Sequence, residues 1–196
     1  MKNIFESPPP AVENIHKETE DSDEEVFQKY VESLELTPDD FEKQILDIGS
    51  NTAQFAKYAK EHRISKEIYS IDIRPASLER EKSVVGSAEA LPFQNESFDL
   101  VVSLSAIPNI YIGAEFSGRR EQVIQQAIEE MIRVVRKGGE IRLGNIRIEK
   151  DREDGYIQNY ITAVHTVLDQ LRKREDIIIS TQKISPDEDL LRIQKV

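Results

Sequence analysis

Short apolar runs alternate with helical patterns along most of this 196-residue chain, and that alternation limits its fold more than any other feature. The runs that predict strands cover residues 44–48, 67–71, 83–86, 98–104, 140–146, 177–184 and 190–195. Apolar residues at helical spacing predict helices at residues 26–35, 51–61, 119–136 and 156–172. Strands that alternate with helices in this way are typical of a parallel sheet with helices on both faces.

The last two predicted strands differ from the others in their connection. A few residues around Pro186 and Asp187 join them, which is too short for a parallel crossover, so they must form an antiparallel hairpin. The sequence therefore predicts an α/β fold, a Rossmann-like three-layer sandwich. Its seven-stranded sheet is mostly parallel and ends in an antiparallel C-terminal hairpin.

The first 25 residues have a different composition from the rest. Three prolines, Pro8 to Pro10, precede a run of acidic residues, and large apolar side chains are few. Such a segment buries too little surface to offset its conformational entropy, so we expect residues 1–25 to be mobile. Residues 26–196 are predicted to form one domain, with an N-terminal helix at 26–35 and a core at 40–196.

Composition excludes several classes of function. The chain has 37 acidic and 26 basic residues and a net charge of −11, which disfavours nucleic acid and anionic membranes as partners. The basic runs at 142–150 and 172–174 are interpreted as solvated faces. The chain has no cysteine, no apolar run of about 18 residues and no signal-peptide pattern, so we expect a cytoplasmic protein. Its three histidines are far apart in sequence, so no metal site is predicted.

Four segments carry a family resemblance. Residues 45–53, Ile-Leu-Asp-Ile-Gly-Ser-Asn-Thr-Ala, resemble the first motif of class I S-adenosylmethionine-dependent methyltransferases. Residues 69–72, residues 86–103 and residues 130–139 resemble later motifs of the same family in order and spacing, as in its type 11-like domains. The resemblance implies S-adenosylmethionine as the cofactor and methyl transfer as the activity.

The resemblance also assigns a cofactor site. Glycine after the first strand lets backbone N–H groups approach a ligand, and an acid about 20 residues later can accept both ribose hydroxyls. Asp72 lies at that spacing and is assigned the ribose, whereas Asp47 would hold the loop or face the amino end of the methionine. The remaining predicted cofactor contacts are Gly49, Ser50, Asn51, Ile73, Ser87, Ala88 and Leu104.

The chain departs from the family in its first loop. Glycine is usual at positions 49, 51 and 53, and here Gly49 is followed by Asn51 and Ala53. Asparagine tolerates left-handed backbone well, but its side chain stands where bare backbone is usual. An aspartate is common where this chain has Ser87. Two hypotheses follow: a SAM-dependent methyltransferase of a small-molecule acceptor, or an inactive relative that acts as a binding or partner subunit.

No catalytic residue is assigned, because methyl transfer from a sulfonium requires mainly correct placement. Asn109 and Tyr111, after the fourth strand, are candidate substrate contacts or simply part of a wall loop. Tyr30, on the first helix, is either part of a lid over the cofactor or a contact that holds this helix to the core. We expect the second role for Tyr30.

Overall fold

One seven-stranded sheet runs through this computed structural model, which describes residues 21–65, 67–74, 82–146, 148, 155–186 and 188–196. The strands are β1 (Ile45–Ile48), β2 (Ile68–Asp72), β3 (Ser83–Val85), β4 (Phe98–Leu104), β5 (Val135–Ile146), β6 (Ile177–Ser185) and β7 (Glu188–Lys195). The helices are α1 (Asp23–Ser33), α2 (Gln54–Glu61), α3 (Arg120–Val134) and α4 (Gly155–Leu171). Short 3-10 helices cover Pro38–Glu42, Asn109–Ile112 and Ala114–Phe116.

The order of the strands changes direction at the centre of the sheet, between β1 and β4. The order is β3-β2-β1-β4-β5-β7-β6, and β1 pairs in parallel with both β2 and β4. β3 and β5 extend the parallel part on either side, whereas β7 lies antiparallel between β5 and β6. The predicted C-terminal hairpin is confirmed. Ligands of doubly wound sheets bind at such a reversal, outside the carboxyl ends of the strands, so β1 and β4 position the site.

Helices cover both faces of the sheet. Ile45 and Leu100 pack in one cluster with the buried residues of α1 and α2, whereas Leu46 and Val101 pack in another with those of α3 and α4. Successive side chains of a strand point to opposite faces, which explains why neighbours in β1 and β4 belong to different clusters. The predicted α/β three-layer sandwich is confirmed.

Helix α1 begins at Asp23, within the acidic segment that was predicted to be mobile. Ser22 caps it: the Ser22 hydroxyl accepts from the Glu25 N–H at 3.3 Å, and the Glu25 carboxylate accepts from the Ser22 N–H at 2.8 Å. This reciprocal capping box satisfies two backbone donors and fixes the start of the helix. Residues 1–20 of the predicted mobile segment lie outside the described residues.

A stack of five aromatic rings joins α1 to α2. Phe27 lies 5.6 Å from both Phe41 and Phe55 and 4.8 Å from Tyr58, measured between ring centroids. Tyr30 stacks on Phe55 with centroids 4.3 Å apart. Offset stacking of this kind adds about 0.5–1.5 kcal/mol for each pair to the gain from burial. The stack fixes α1 over the carboxyl end of β1.

The junction between α3 and β5 differs from the prediction. α3 ends two residues earlier than expected and β5 starts five residues earlier, at Val135. Gly138 and Gly139, which fall between the predicted helix and the predicted strand, lie inside β5, where Gly138 has a φ of +76°. Val135 is buried and pairs with Phe98, and a bulge with shifted register follows. The helix therefore ends because Val135 joins the sheet, and the glycines permit the bulge.

Arg142 was interpreted as part of a solvated basic face, and that interpretation is wrong. Its side chain is 8% exposed and forms ion pairs with Asp40 at 3.0 Å and with Glu140 at 2.8 Å. It also donates to the backbone carbonyls of Leu34 and Glu35, at 3.3 and 3.0 Å. Arg142 thus ties the chain after α1 to the centre of the sheet.

Within the described part of the chain, no helix has the length and apolar character needed to cross a membrane.

Candidate functional site

The loop after β1 adopts three left-handed backbone conformations in five residues. Gly49, Asn51 and Ala53 have φ values of +77°, +50° and +56°. The Gly49 and Ser50 N–H groups both donate to the carbonyl of Ile71, at 2.8 and 3.2 Å, which holds the loop against β2. The backbone therefore keeps the left-handed conformation that glycine favours at positions 51 and 53, where the family usually has glycine.

Gly49 is required where it stands. A Cβ at this position would lie 2.2 Å from the Cβ of Ala106, the second residue after β4. Gly49 also has a φ that other residues rarely adopt. The contact brings the first loop directly against the chain that follows β4, so the two walls of the site meet at this glycine.

Asp72 bonds to the first loop from the end of β2. Its Oδ2 accepts from the Asn51 N–H at 2.9 Å, and its Oδ1 accepts from the Arg74 N–H at 2.9 Å. Arg74 Nη1 in turn donates to the side-chain oxygen of Asn51 at 3.1 Å. The side chain that Asn51 adds to the loop is thus bonded to Arg74. A carboxylate has about four acceptor positions, so these two bonds leave room for ligand hydroxyls.

Asp47 lies fully buried beneath α1. Its Oδ1 accepts a hydrogen bond from the Tyr30 hydroxyl at 3.0 Å, and its Oδ2 has no hydrogen-bond partner among the residues that the structure describes. Burial raises the pKa of Asp47 to about 7, and the nearby charge of Asp72 adds to that rise, although the bond from Tyr30 opposes it. Burial and Asp47 together raise the pKa of Tyr30 well above its usual value. Tyr30 therefore does hold α1 to the core, through this bond and its ring stack.

A cavity of about 280 Å³ lies between α1 and the first loop. Asp21, Val26 and Tyr30 line it from the α1 side, and residues 49–52, Gln54 and Leu104 complete it. Four predicted contacts line this cavity: Gly49, Ser50, Asn51 and Leu104. Ser50 has a buried hydroxyl without a hydrogen-bond partner in the described residues. Tyr30 both lines the cavity and holds α1, so its two alternatives are not exclusive.

The other predicted contacts lie outside the cavity lining, along the same edge of the sheet. Ile73, after Asp72, is 68% exposed. The Gly86 N–H donates to the Asp72 carbonyl at 2.9 Å, which places Ser87 and the buried Ala88 beside the end of β2. Asp72 therefore stands between the cavity and the Ser87–Ala88 segment.

The two candidate substrate contacts after β4 are held in place, Tyr111 by burial and Asn109 by hydrogen bonds. Tyr111 is 1% exposed, and its hydroxyl has no hydrogen-bond partner within the described part of the chain. Burial raises the pKa of Tyr111, and the charge of Glu89 adds to this. Asn109 donates to the Asn145 carbonyl at 2.6 Å and accepts from the Tyr160 hydroxyl at 2.7 Å. Both residues fit the wall-loop alternative.

Sequence reasoning missed the polar partners of the site. Arg74, Ser105, Asn145 and Tyr160 carry no periodic or motif signal, since their contacts join elements distant in sequence. Ser105 could have been suspected from its place directly after β4, where ligands of this fold bind. Among the described residues, no group of three or more histidine, aspartate or glutamate side chains could hold a metal ion.

Residues 46–143 match the family model described as a methyltransferase domain. The chain belongs to this methyltransferase family. No curated protein matches its sequence.

Solved structures of methyltransferases share the fold. One is the protein bound to the Trm112 methyltransferase activator of Haloferax volcanii, at a TM-score of 0.59 and 14% identity over 88% of this chain and 93% of that one. Another is a SAM-dependent methyltransferase from Thermotoga maritima, at a TM-score of 0.54 and 19% identity over 89% and 91%. A third, from Aquifex aeolicus, has a TM-score of 0.56 and 13% identity over 89% and 97%. Such identities show a shared fold.

The site of this methyltransferase-family chain fits the cofactor that the family implies. Asp72 retains acceptor positions for ribose hydroxyls, and the exposed Ile73 beside it offers an apolar surface for a base. The first turn of α2, which faces the loop, has backbone N–H groups without acceptors inside the helix. Small-molecule sites usually measure about 300–1,000 Å³, so the cavity suits one end of such a cofactor.

Proposed function

We propose that the chain binds S-adenosylmethionine at the carboxyl ends of β1, β2 and β4 and transfers its methyl group to a small-molecule acceptor. The observation that carries this proposal is the bond between Asp72 and the Asn51 N–H, at 2.9 Å. This bond keeps the acid and the loop side by side although two of the three usual glycines are replaced. This contact between the acid and the altered loop supports the proposal.

Each end of the cofactor has its own residues in this proposal. Asp72 accepts from the ribose hydroxyls, and Ile73, Ser87 and Ala88 contact the adenine. The methionine end enters the cavity between α1 and the loop, against Gly49, Ser50, Asn51 and Leu104. Asp47 acts at this end, either through Tyr30 or by its unpartnered Oδ2.

The bound cofactor supplies a methyl group on a positively charged sulfur, which is a good leaving group. The chain's own residues orient the ligand and exclude water, and this placement is the main contribution that such a reaction needs. Tyr30 and Leu104 contribute to this placement as part of the cavity wall. No general base is assigned.

Ligand-induced stabilisation tests the proposal. At about 100 times the dissociation constant, S-adenosylmethionine should add about 2.7 kcal/mol to the free energy of unfolding. For a chain of this size, that raises the melting temperature by about 5–10 °C. Asp72→Ala should weaken binding by about tenfold or more, since a hydrogen bond to a charged group contributes about 1.5–3 kcal/mol. Thermal shift and calorimetric titration measure these effects with S-adenosylmethionine and with its demethylated product.

Two variants serve as controls. Asp72→Asn keeps a side-chain oxygen that can accept from the Asn51 N–H of the loop. It therefore separates the effect of losing this hydrogen bond from the effect of losing the charge. Asp169→Ala removes an exposed acid of α4 and should leave binding unchanged. If millimolar ligand gives no shift in the wild type, cofactor binding is excluded.

That negative result would favour the alternative, an inactive methyltransferase-fold subunit that binds a protein partner. The Haloferax volcanii neighbour, which forms a complex with an activator protein, gives this alternative its support.

A further inference from the structure

A polar chain of four side chains crosses the carboxyl ends of β4 and β5. Tyr160 of α4 donates to Asn109 Oδ1 at 2.7 Å, and Asn109 Nδ2 donates to the Asn145 carbonyl at 2.6 Å. Asn145 Nδ2 then donates to Ser105 Oγ at 2.6 Å. Tyr160 is fully buried and Ser105 is exposed, so the chain runs from the core to the surface.

The direction of the first two bonds is fixed by their chemistry. A backbone carbonyl can only accept, so Asn109 must present its amide nitrogen to Asn145 and its oxygen to Tyr160. The Asn145 carbonyl accepts from Asn109, which holds Asn145 in place. In the third bond Asn145 Nδ2 donates to Ser105 Oγ and so occupies an acceptor position of that hydroxyl. The Ser105 hydroxyl proton therefore points away from Asn145 and is available to donate.

The exposed Ser105 and the half-buried Asn145 both have unusual backbone conformations. Ser105 and Asn145 have φ values of +58° and +53°, and the Ser105 N–H donates to the Gly144 carbonyl at 3.1 Å. Asparagine tolerates this region, but serine is less suited to it, and glycine would occupy it without strain. The strained backbone of Ser105 marks it as a candidate for a functional use of its hydroxyl.

Both sequence neighbours of Ser105 belong to the proposed cofactor site. Leu104, before it, lines the cavity. Ala106, after it, is the residue that a Cβ on Gly49 would strike. Ile110 is 47% exposed and forms part of the same loop, where it adds apolar surface. A molecule placed here would lie beside the methionine end of the cofactor.

We propose that Ser105, positioned by Asn145, Asn109 and Tyr160, donates a hydrogen bond to a carbonyl or carboxylate oxygen of the methyl acceptor. The acceptor is then a small organic molecule that carries such an oxygen next to an apolar part. This assignment rests on the proposed methyl transfer, but oxygen binding at Ser105 can be tested without it.

The test uses acetate and acetamide as probes of the two oxygen types. Either probe, titrated into the full chain, should shift the Ser105 backbone amide resonance in a saturable manner. Ser105→Gly, which suits the left-handed backbone and removes the hydroxyl, should weaken acetate binding by about tenfold or more. Asn145→Gly should weaken it less, since the hydroxyl remains but loses its orientation.

Two further variants control for folding and for donor identity. Ser105→Asn tolerates the same backbone and provides an amide donor, so it should restore part of the binding. Ser97→Ala alters the opposite end of β4 and should bind both probes as the wild type does. Ser105→Gly should melt no lower than the wild type, so that lost binding cannot be attributed to unfolding.

Each outcome decides between the two proposals. If neither probe saturates, or if Ser105→Gly binds acetate as tightly as the wild type, the role of Ser105 is excluded. If the probes bind at Ser105 but S-adenosylmethionine gives no thermal shift, methyl transfer fails and Ser105 does not contact a methyl acceptor. If S-adenosylmethionine stabilises both the wild type and Ser105→Gly, while the variant has lost the probes, the acceptor role is supported.

Discussion

Replacing Arg142 with methionine should lower the free energy of unfolding by about 3 kcal/mol or more, because the change removes one partner of a buried ion pair. Arg142 and Asp40 have side chains that are 8% and 2% exposed, and they lie 3.0 Å apart. Burial raises the pKa of Asp40, but hydrogen bonds from Lys43 and Thr37, together with the charge of Arg142, hold it well below its usual range. Urea-induced unfolding at neutral pH measures the change.

A surface pair provides the matched control. Arg172 lies 2.9 Å from Asp169, and these side chains are 45% and 67% exposed. Arg172→Met should therefore cost between about 0 and 1 kcal/mol. Combining Arg142→Met with Asp40→Asn should cost less than the sum of the single changes, because both changes remove the same ion pair. Equal effects of Arg142→Met and Arg172→Met would show that burial does not strengthen the pair.

The second large effect is the contribution of Asp47 to the pH dependence of the free energy of unfolding, which Asp47→Asn should abolish. In the folded chain the pKa of Asp47 is raised to about 7, from an ordinary value of 3.8, mainly by burial. Below pH 4 the carboxyl is neutral in both states and its burial carries no ionisation penalty. Between about pH 4 and 7 the unfolded state loses a proton that the folded state keeps, so stability falls by about 1.4 kcal/mol per pH unit. The total loss is about 4 kcal/mol and is complete above pH 7.

The difference between variant and wild type isolates this group from the other acids of the chain. Asp47→Asn should gain on the wild type by about 4 kcal/mol as the pH rises from 4 to 8, whatever its absolute stability. Ser97→Ala, which changes no titratable group, should show a constant difference. Unfolding by urea at several pH values provides the data, and parallel profiles for wild type and Asp47→Asn would contradict a raised pKa.

The strands of the fold could be predicted because their pattern is local. β4 lies at the predicted residues, Phe98–Leu104, since a continuous apolar run between polar turns suits a strand covered on both faces. The junction at Val135 could not be predicted, because it depends on pairing with Phe98, which lies 37 residues earlier. The burial of Arg142 could not be predicted for the same reason, since its partner Asp40 lies 102 residues away in sequence.

The candidate site was predictable to a similar degree. The loop and Asp72 follow from motif spacing, and the structure places them side by side. The bond between Tyr30 and Asp47 depends on how α1 crosses the end of β1, which no periodicity encodes. The functions assigned to these residues stay predictions until ligand binding is measured.

The aromatic stack of Phe27, Phe41, Phe55, Tyr30 and Tyr58 has a consequence for how the cavity is reached. Since these rings join α1 to α2, swinging α1 outward would separate the Tyr30 and Phe55 rings and break the bond to Asp47. α1 is thus a fixed wall that opens at the cost of local unfolding. A ligand that enters along the exposed edge beside Ile73 avoids that cost, so its association rate need not depend on the motion of α1.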